Sequence, residues 1–414
     1  MSQGWCFEAG ISAGSPPVPC PNAPRVATLY AEHVHLAGAD KHDWGEVTVR
    51  QLLSLPKRQV LFALAEDGSR TDAEVAERTG MKETTVGLHR RELLKEGHMA
   101  HVNFPSFEKL GCEMLVEFYG NTNPAVPADV KINAYRTFFK GVPQVYDAVS
   151  GVGFIRASSA MVSVSELTQF QDRHDAFFSD APSTKATLFS TVFPFDISRC
   201  SYVYNFGPFL HRVFKLELPA PMSRPLEGKK VEDVTMSKAE ARTFAEIIRS
   251  PTATDSEIGQ VIHRSRQSVT DMRNCFLEQG LYARTVVPTL ISAEFGPTAH
   301  VRLKFKPSAG FERKMSVGGD DWWTQSCYTL ERDSELFGIY PFADFAEYRS
   351  LMNRFIGPFQ QAGLLAAEPE IVTVSRENTV DLVECSFVPL VNRLLGSPLG
   401  RRPGGAVDEA GSTH

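Results

Sequence analysis

The sequence contains no C-x-x-C pair, no apolar run near the length of a bilayer span and no excess of positive charge. Each absence excludes a class of protein. The seven cysteines, at 6, 20, 112, 200, 275, 327 and 385, are scattered and odd in number. They read as reduced thiols, not as a disulfide framework. No stretch approaches the ~18 consecutive apolar residues of a spanning helix. The start, MSQGWCFEAG, has neither the basic nor the apolar region of a secretory leader. A cytoplasmic location is therefore expected, with no membrane partner. The formal net charge is −6, so indiscriminate nucleic-acid binding, which needs a positive field, is not expected.

What is present is ordinary globular composition, 43% hydrophobic and 22% charged over 414 residues. That length predicts several domains, each with its own core. The first 47 residues are Pro/Gly-rich and the last 19 are Gly-rich and polar, so both ends are expected to be mobile.

An internal repeat organises the rest. Without a gap, residues 71–105 pair with 254–288 at an offset of 183. Nine of these 35 pairs are identical: Thr71/Thr254, Asp72/Asp255, Glu74/Glu257, Val86/Val269, Arg90/Arg273, Leu94/Leu277, Gly97/Gly280, Ala100/Ala283 and Pro105/Pro288. In the first copy, helical spacing predicts a helix over 56–66, a second over 72–79 and a third over 82–96. Thr71 or Asp72 serves as a cap, Gly80 as the tight turn and Gly97 as the stop. A β-like stretch follows over 98–104. This is the layout of a winged helix-turn-helix. The second copy predicts helices over 238–249, 255–262 and 265–279, then a strand over 281–287, with His263 in place of the turn glycine. Arg90 and Arg273 stand where the third helix ordinarily buries an aliphatic residue. Either they snorkel from the core edge or they share a phosphate or carboxylate contact.

Residues 112–199 then read βαββαβ, the ferredoxin-like order. The strands fall at 112–119, 144–150, 154–164 and 187–194, and the helices at 128–140 and 165–179. The second copy keeps the order over 300–375, with a degraded first helix around 311–317. The expected fold class is α+β: two copies of a winged helix-turn-helix followed by a βαββαβ ferredoxin-like domain. The expected boundaries are a flexible segment 1–47, helix-turn-helix 48–108, ferredoxin-like domain 109–211, linker 212–235, helix-turn-helix 236–295, ferredoxin-like domain 296–395 and tail 396–414.

Asp72-Ala-Glu-Val-Ala-Glu-Arg-Thr-Gly80, Thr84-Thr-Val86, Leu93-Leu-Lys-Glu-Gly97 and Leu110-Gly111, followed by a βαββαβ segment, resemble the Lrp/AsnC regulators, mostly bacterial and archaeal. The resemblance covers about 54–195 and, more weakly, 236–376. It implies a transcriptional regulator of double-stranded DNA that self-associates through its ferredoxin-like domains and answers to a small-molecule effector. That family ordinarily carries one unit per chain, so two fused units would let one chain mimic a family dimer. Its glycine-rich effector-loop pattern is not evident, and no effector identity carries over.

On this reading the DNA-facing residues are Lys82, Thr84, Thr85, His89 and Arg91 in the first copy, and Arg264, Arg266 and Gln267 in the second. Charge tempers it, because acidic and basic residues balance in both units, and Asp271 faces the same groove as Arg266. A second class is an enzyme: some proteins with this domain order are siroheme decarboxylases. That reading needs His, Tyr and basic residues converging on a sheet, with Tyr135, Arg136, Arg156, His174 and Tyr204 as candidates. A third class is a ligand-sensing or assembly protein without DNA binding. No catalytic residue, metal ligand or cofactor is assigned. His33, His35 and Cys20, and His98 with His101, offer no four-ligand spacing. Gly151-Val-Gly153 reads as a strand turn. Trp322-Trp323 and the phenylalanines Phe193, Phe195, Phe206 and Phe209 read as core or interface, and Arg401-Arg402 as a solubilising pair.

Overall fold

The computed structural model describes residues 53–201, 203–219, 234–289, 297–319, 325–375 and 379–396. The expectations for the first 47 residues, for Trp322-Trp323, for Arg401-Arg402 and for most of 212–235 lie outside these. Three helices, Leu55–Glu66 (α1), Asp72–Thr79 (α2) and Glu83–Lys95 (α3), lead into Met99–Pro105 (β1). Then follow Met114–Asn121 (β2), Ala128–Lys140 (α4), Val145–Gly151 (β3), Phe154–Met161 (β4), Val164–Phe177 (α5) and Thr187–Pro194 (β5). Arg199–Ser201 (β6) and Gly207–Phe214 (α6) close the first half.

The second half repeats the order. Its helices are Lys238–Arg249 (α7), Asp255–Ile262 (α8) and Arg266–Glu278 (α9), followed by Tyr282–Pro288 (β7) and Thr298–Lys304 (β8). Phe311–Gly318 (α10), Tyr328–Arg332 (β9), Glu335–Pro341 (β10), Phe345–Gln361 (α11) and Glu370–Val374 (β11) come next. Thr379–Val383 (β12) and Val388–Gly396 (α12) end it.

Local chemistry explains the helix starts. Thr71 and Thr254 each accept from the backbone N–H three residues on, while Glu74 and Glu257 reach back, closing two capping boxes. Both boxes hold their glutamates below the usual carboxylate range, chiefly through the threonine hydrogen bonds. The turn between second and third helix needs a left-handed residue. Gly80 supplies it at φ 71°, and His263 takes the same conformation at φ 59°.

The strand after each helical trio does not form a hairpin of its own, contrary to the winged layout. β1 and β7 pair with each other, antiparallel, from Met99↔Pro288 to Pro105↔Tyr282. Each unit supplies one strand of this shared ribbon, and Val102, Phe104, Tyr282 and Val286 are buried in one continuous core with residues of both units. The packing is also crossed: α1 lies on β7 and α7 on β1, where Asn103 Nδ2 donates to the Ile247 carbonyl at 2.8 Å.

Two five-stranded antiparallel sheets complete the fold, ordered β12-β3-β4-β2-β5 and β11-β8-β10-β9-β6. The edge strands are exchanged. β6 leaves the first half to pair with β9, and β12 returns from the second half to pair with β3. α6 then packs on α1, and α12 on α7. Residues 212–214, expected in a linker, are the last turn of α6, with Phe214 buried. α10, expected to be degraded, is a short, intact helix. One face of each sheet is covered by its own helices. The other faces meet within this chain, where Leu115, Tyr146 and Phe193 join Tyr328, Leu330, Phe337 and Ile339 in one core. Phe195, Phe206 and Phe209 are buried in the same core.

Candidate functional site

Alternation on β2 and β8 sends Val116, Phe118, Val301 and Leu303 toward the helices. Glu117, Tyr119, His300, Arg302 and Lys304 are left on the faces between the sheets. At the repeat offset Glu117 corresponds to His300, and Tyr119 to Arg302. The two halves therefore place different chemistry at like positions.

On the first sheet this chemistry is a closed ionic network. Arg156, 3% exposed, lies between Asp147 (Nη1–Oδ2 2.6 Å) and Glu117 (Nη2–Oε2 3.4 Å). Glu117 accepts from Tyr328 at 2.8 Å and from Ser158 at 2.9 Å. The Tyr328 and Tyr146 hydroxyls are 3.2 Å apart, and Tyr204 packs its ring on Tyr328 at 5.4 Å. Burial raises the Glu117 carboxyl above its usual range, although Arg156 and the two hydroxyl donors oppose it. The Arg156 guanidinium stays charged: burial disfavours it, but Glu117 and Asp147 outweigh that.

Beside the network a cleft of ≈ 460 Å³ opens between the sheets. Tyr119, Phe154 and Phe189 supply aromatic surface, and His300, Arg302 and Lys304 supply nitrogen donors. Tyr119 Oη lies 3.1 Å from His300 Nδ1, and His300 Nε2 lies 3.1 Å from Thr298 Oγ1. Burial drives the His300 imidazole well below its ordinary value, with the Arg156 charge adding to the effect, so it is neutral at pH 7. Burial likewise holds the Tyr119 phenol well above its ordinary value. Arg302 is held by Glu335 at 2.9 Å and by Glu370 at 3.1 Å. Lys304 pairs with Glu370 alone among the described residues, at 3.6 Å. The Glu370 side chain is 54% exposed, so an incoming anion competes with a solvated carboxylate for these cations.

The enzyme candidates from the sequence divide. Arg156 and Tyr204 reach the space between the sheets. Tyr135 and His174 do not: they bond each other at 3.0 Å under the helices of the first sheet, where Tyr135 also accepts from the Ala186 N–H. Arg136 holds the Asp381 carbonyl of the exchanged strand β12.

The residues expected to face DNA lie apart from the cleft. Lys82 caps α3 without a side-chain bond, and Lys82, Thr84 and Arg91 are exposed. Thr85 is half-buried, and His89 sits 3.3 Å from Glu92. In the second unit Arg264, Arg266 and Gln267 are exposed, and Gln267 is tied to Asp271 at 2.9 Å. Arg90 and Arg273 make a carboxylate contact inside the chain. Arg90 Nε pairs with Asp72 at 2.8 Å, and Arg273 Nε donates to Asp255 at 2.6 Å, so each third helix is locked to the start of the second. Gly87 leaves room for Asp72, since a Cβ there would meet Oδ2 at 2.8 Å. Its counterpart Thr270 instead donates to Asp255 at 2.7 Å.

His98 and His101 share no metal cluster. Among the described residues no group of three or more His, Cys, Asp or Glu side chains is placed to hold one. Gly151-Val-Gly153 forms the β3–β4 turn. Among the same residues no helix is long and apolar enough to cross a membrane.

No protein-family model matches the chain, and no curated protein matches it. Among solved structures it is similar to the siroheme decarboxylase NirDL, at 10% identity over 82% of this chain and 98% of that one, TM-score 0.46. It is also similar to an AsnC family transcriptional regulator from Agrobacterium tumefaciens, at 15% identity over 34% of this chain and 89% of that one, TM-score 0.28. A transcriptional regulatory protein of the AsnC family from Pyrococcus furiosus gives 20%, 34%, 88% and 0.27 in the same order. Similarity this low decides neither the fold nor the activity.

Proposed function

We propose that this chain binds an anionic, conjugated-ring small molecule between its two sheets and removes carboxyl groups from it, an activity of the siroheme decarboxylase kind. The observation that carries this reading is the cleft itself. It joins flat aromatic walls to two basic side chains, with the half-buried Tyr119 and the buried His300 paired at its edge. Aromatic surface suits a ring, and Arg302 and Lys304 suit its carboxylates.

The chemistry asks little more. Loss of CO2 from a carboxymethyl arm breaks one C–C bond and leaves the electron pair on carbon, spread into the ring. One proton must then reach that carbon. Tyr119 lines the cleft and is the donor, resupplied through His300 and Thr298. One C–C bond breaks, one C–H bond forms and one proton is taken from water, with no change of oxidation state. The Glu117–Arg156 network fills the corresponding face of the first sheet, so one site per chain is expected. Incubation with a carboxymethyl-bearing tetrapyrrole, read by mass spectrometry, tests this. Stepwise loss of carboxyl groups that slows at least tenfold in Tyr119→Phe supports it. Unaltered substrate after prolonged incubation sinks it.

A second reading rests on its own observation. Lys82 at the cap of α3, Thr84 and Arg91 on it, and Arg264 and Arg266 at the start of α9 are exposed, and none makes a side-chain hydrogen bond or salt bridge with a described residue. That suits two duplicated helix-turn-helix units of the Lrp/AsnC kind on DNA. Binding to the protein's own upstream DNA, lost in the double variant Lys82→Ala/Arg91→Ala, would favour it. No preference over scrambled DNA at low salt would exclude it.

A further inference from the structure

The second helical unit carries a cleft of ≈ 550 Å³ whose chemistry the first unit does not repeat. Its walls are the start of α8, from Thr254 to Ser256, and three arginines: Arg266, Arg273 and Arg284. Arg273 is only 7% exposed. Its Nε and Nη2 serve Asp255 and the Ala253 carbonyl, while its Nη1 is buried without a partner. Arg284, on β7, has a buried Nε that is also unpartnered. Neither Arg284 nor Arg266 makes an ion pair with any described residue. Asp255 is the one carboxylate lining the cleft, and Arg273 and Thr270 already engage it. Positive charge and donor capacity are thus concentrated at a helix start, where the backbone dipole also favours an anion.

In the first unit, positions 83, 90 and 101 correspond to these arginines and hold Glu83, Arg90 and His101. There a single arginine is paired with Asp72, and a glutamate and a histidine stand where the second unit has its other two arginines, so the positive charge is not repeated. The duplicated scaffold has kept the clamp arginine in both units and added two more in the second alone.

We propose that this cleft is an oxyanion site for a phosphate ester, held by Arg266 and Arg284 with the spare Nη1 of Arg273. The ester is either a nucleic-acid backbone phosphate or that of a free phosphorylated small molecule; both present the same dianionic or monoanionic oxygens to the guanidiniums. The site shares no residue with the cleft between the sheets, so it stands or falls apart from the decarboxylase reading; it shares Arg266 with the DNA reading, on which its nucleic-acid arm rests.

The test uses the full chain with inorganic phosphate in calorimetric titration and a short DNA duplex across a salt series. Phosphate should bind saturably, and Arg284→Gln and Arg266→Gln should each weaken it about tenfold, as loss of a charged hydrogen bond does. Lys140→Gln, exposed on α4, should leave it unchanged. Arg266 is exposed, so its variant keeps the fold even if Arg284→Gln does not. A duplex salt slope that falls by about one in the variants assigns the phosphate to a nucleic-acid backbone. Weakened phosphate binding with an unchanged slope assigns it to a free phosphate ester. Phosphate binding that both variants leave intact means an adventitious ion only and overturns the proposal. So does the absence of phosphate binding together with an unchanged slope.

Discussion

Removing the Arg156 guanidinium is the sharpest perturbation of the joint between the sheets. Arg156 and Glu117 are 3% and 1% exposed, and Asp147 shares the same guanidinium. Arg156→Met keeps the volume but leaves the buried Glu117 without its counter-charge, with only the Tyr328 and Ser158 hydroxyls as donors. Breaking a buried pair from one side costs about 3–5 kcal/mol, a large share of the ~5–15 kcal/mol that ordinarily holds a domain. Glu117 can escape only by taking a proton. Its folded-state pKa is already raised, so the folded form holds that proton to higher pH than the unfolded chain. The stability it contributes is present at low pH and is lost as pH rises. The Arg156→Met penalty should therefore be larger at pH 8 than at pH 5. Adding Glu117→Gln should recover about half of it, giving a coupling of roughly 2 kcal/mol. Urea unfolding followed by circular dichroism at both pH values measures all of this. A loss below about 1 kcal/mol, or additive single and double variants, would refute the reasoning.

Further outcomes are expected elsewhere. His263→Gly should stabilise the chain by roughly 1 kcal/mol, since a left-handed residue with a side chain is strained and glycine is not; an unchanged or lower urea midpoint would contradict this. Thr71→Ala and Thr254→Ala should each cost about 1 kcal/mol through loss of a capping box, read in the same assay. His101 is half-buried, and burial, helped by Arg90 and Arg284, lowers it from 6.5 to about 4. A depressed histidine stabilises above its unfolded value and loses that contribution as pH falls from about 6.5 to 4. That loss amounts to about 3 kcal/mol at most, and His101→Gln should flatten stability across this window. Lys314→Met should cost several kcal/mol, because it leaves Glu331, 1% exposed, with only the longer contact to the part-exposed Arg199 at 3.5 Å, whereas Glu331→Gln/Lys314→Met together should cost much less.

The local elements were legible because periodicity and caps act over a few residues. The helix expected over 128–140 spans Ala128–Lys140, and the strand over 187–194 spans Thr187–Pro194. The repeat offset also reaches beyond the aligned segment: Lys131 and Lys314, 183 apart, are both buried on the first helix under their sheet. Lys314 meets Glu331, whereas Lys131 meets only neutral oxygens of Thr122, Asn123 and Val152. What no local pattern carries is which strand pairs with which. β1 with β7, β6 with β9 and β12 with β3 all join the two halves, and a three-residue strand such as β6 has no periodicity to detect. The cleft is not legible in the sequence for the same reason. Polar residues alternating on β8, His300, Arg302 and Lys304, look like a solvent-facing edge until a second sheet is known to cover them. Arg156 is legible as a basic candidate, the one charge in the strand Phe154–Met161, but its partners Glu117 and Asp147 are not.

The most direct measurement is a visible-absorbance titration of the purified full chain with an iron uroporphyrin, followed to saturation, for the unaltered protein and for His300→Ala and Lys304→Ala. A cleft between the sheets that takes an anionic ring predicts a shifted absorption band that saturates at one ligand per chain and weakens in both variants. An unshifted band at high ligand excess, or a shift that neither variant alters, would contradict it.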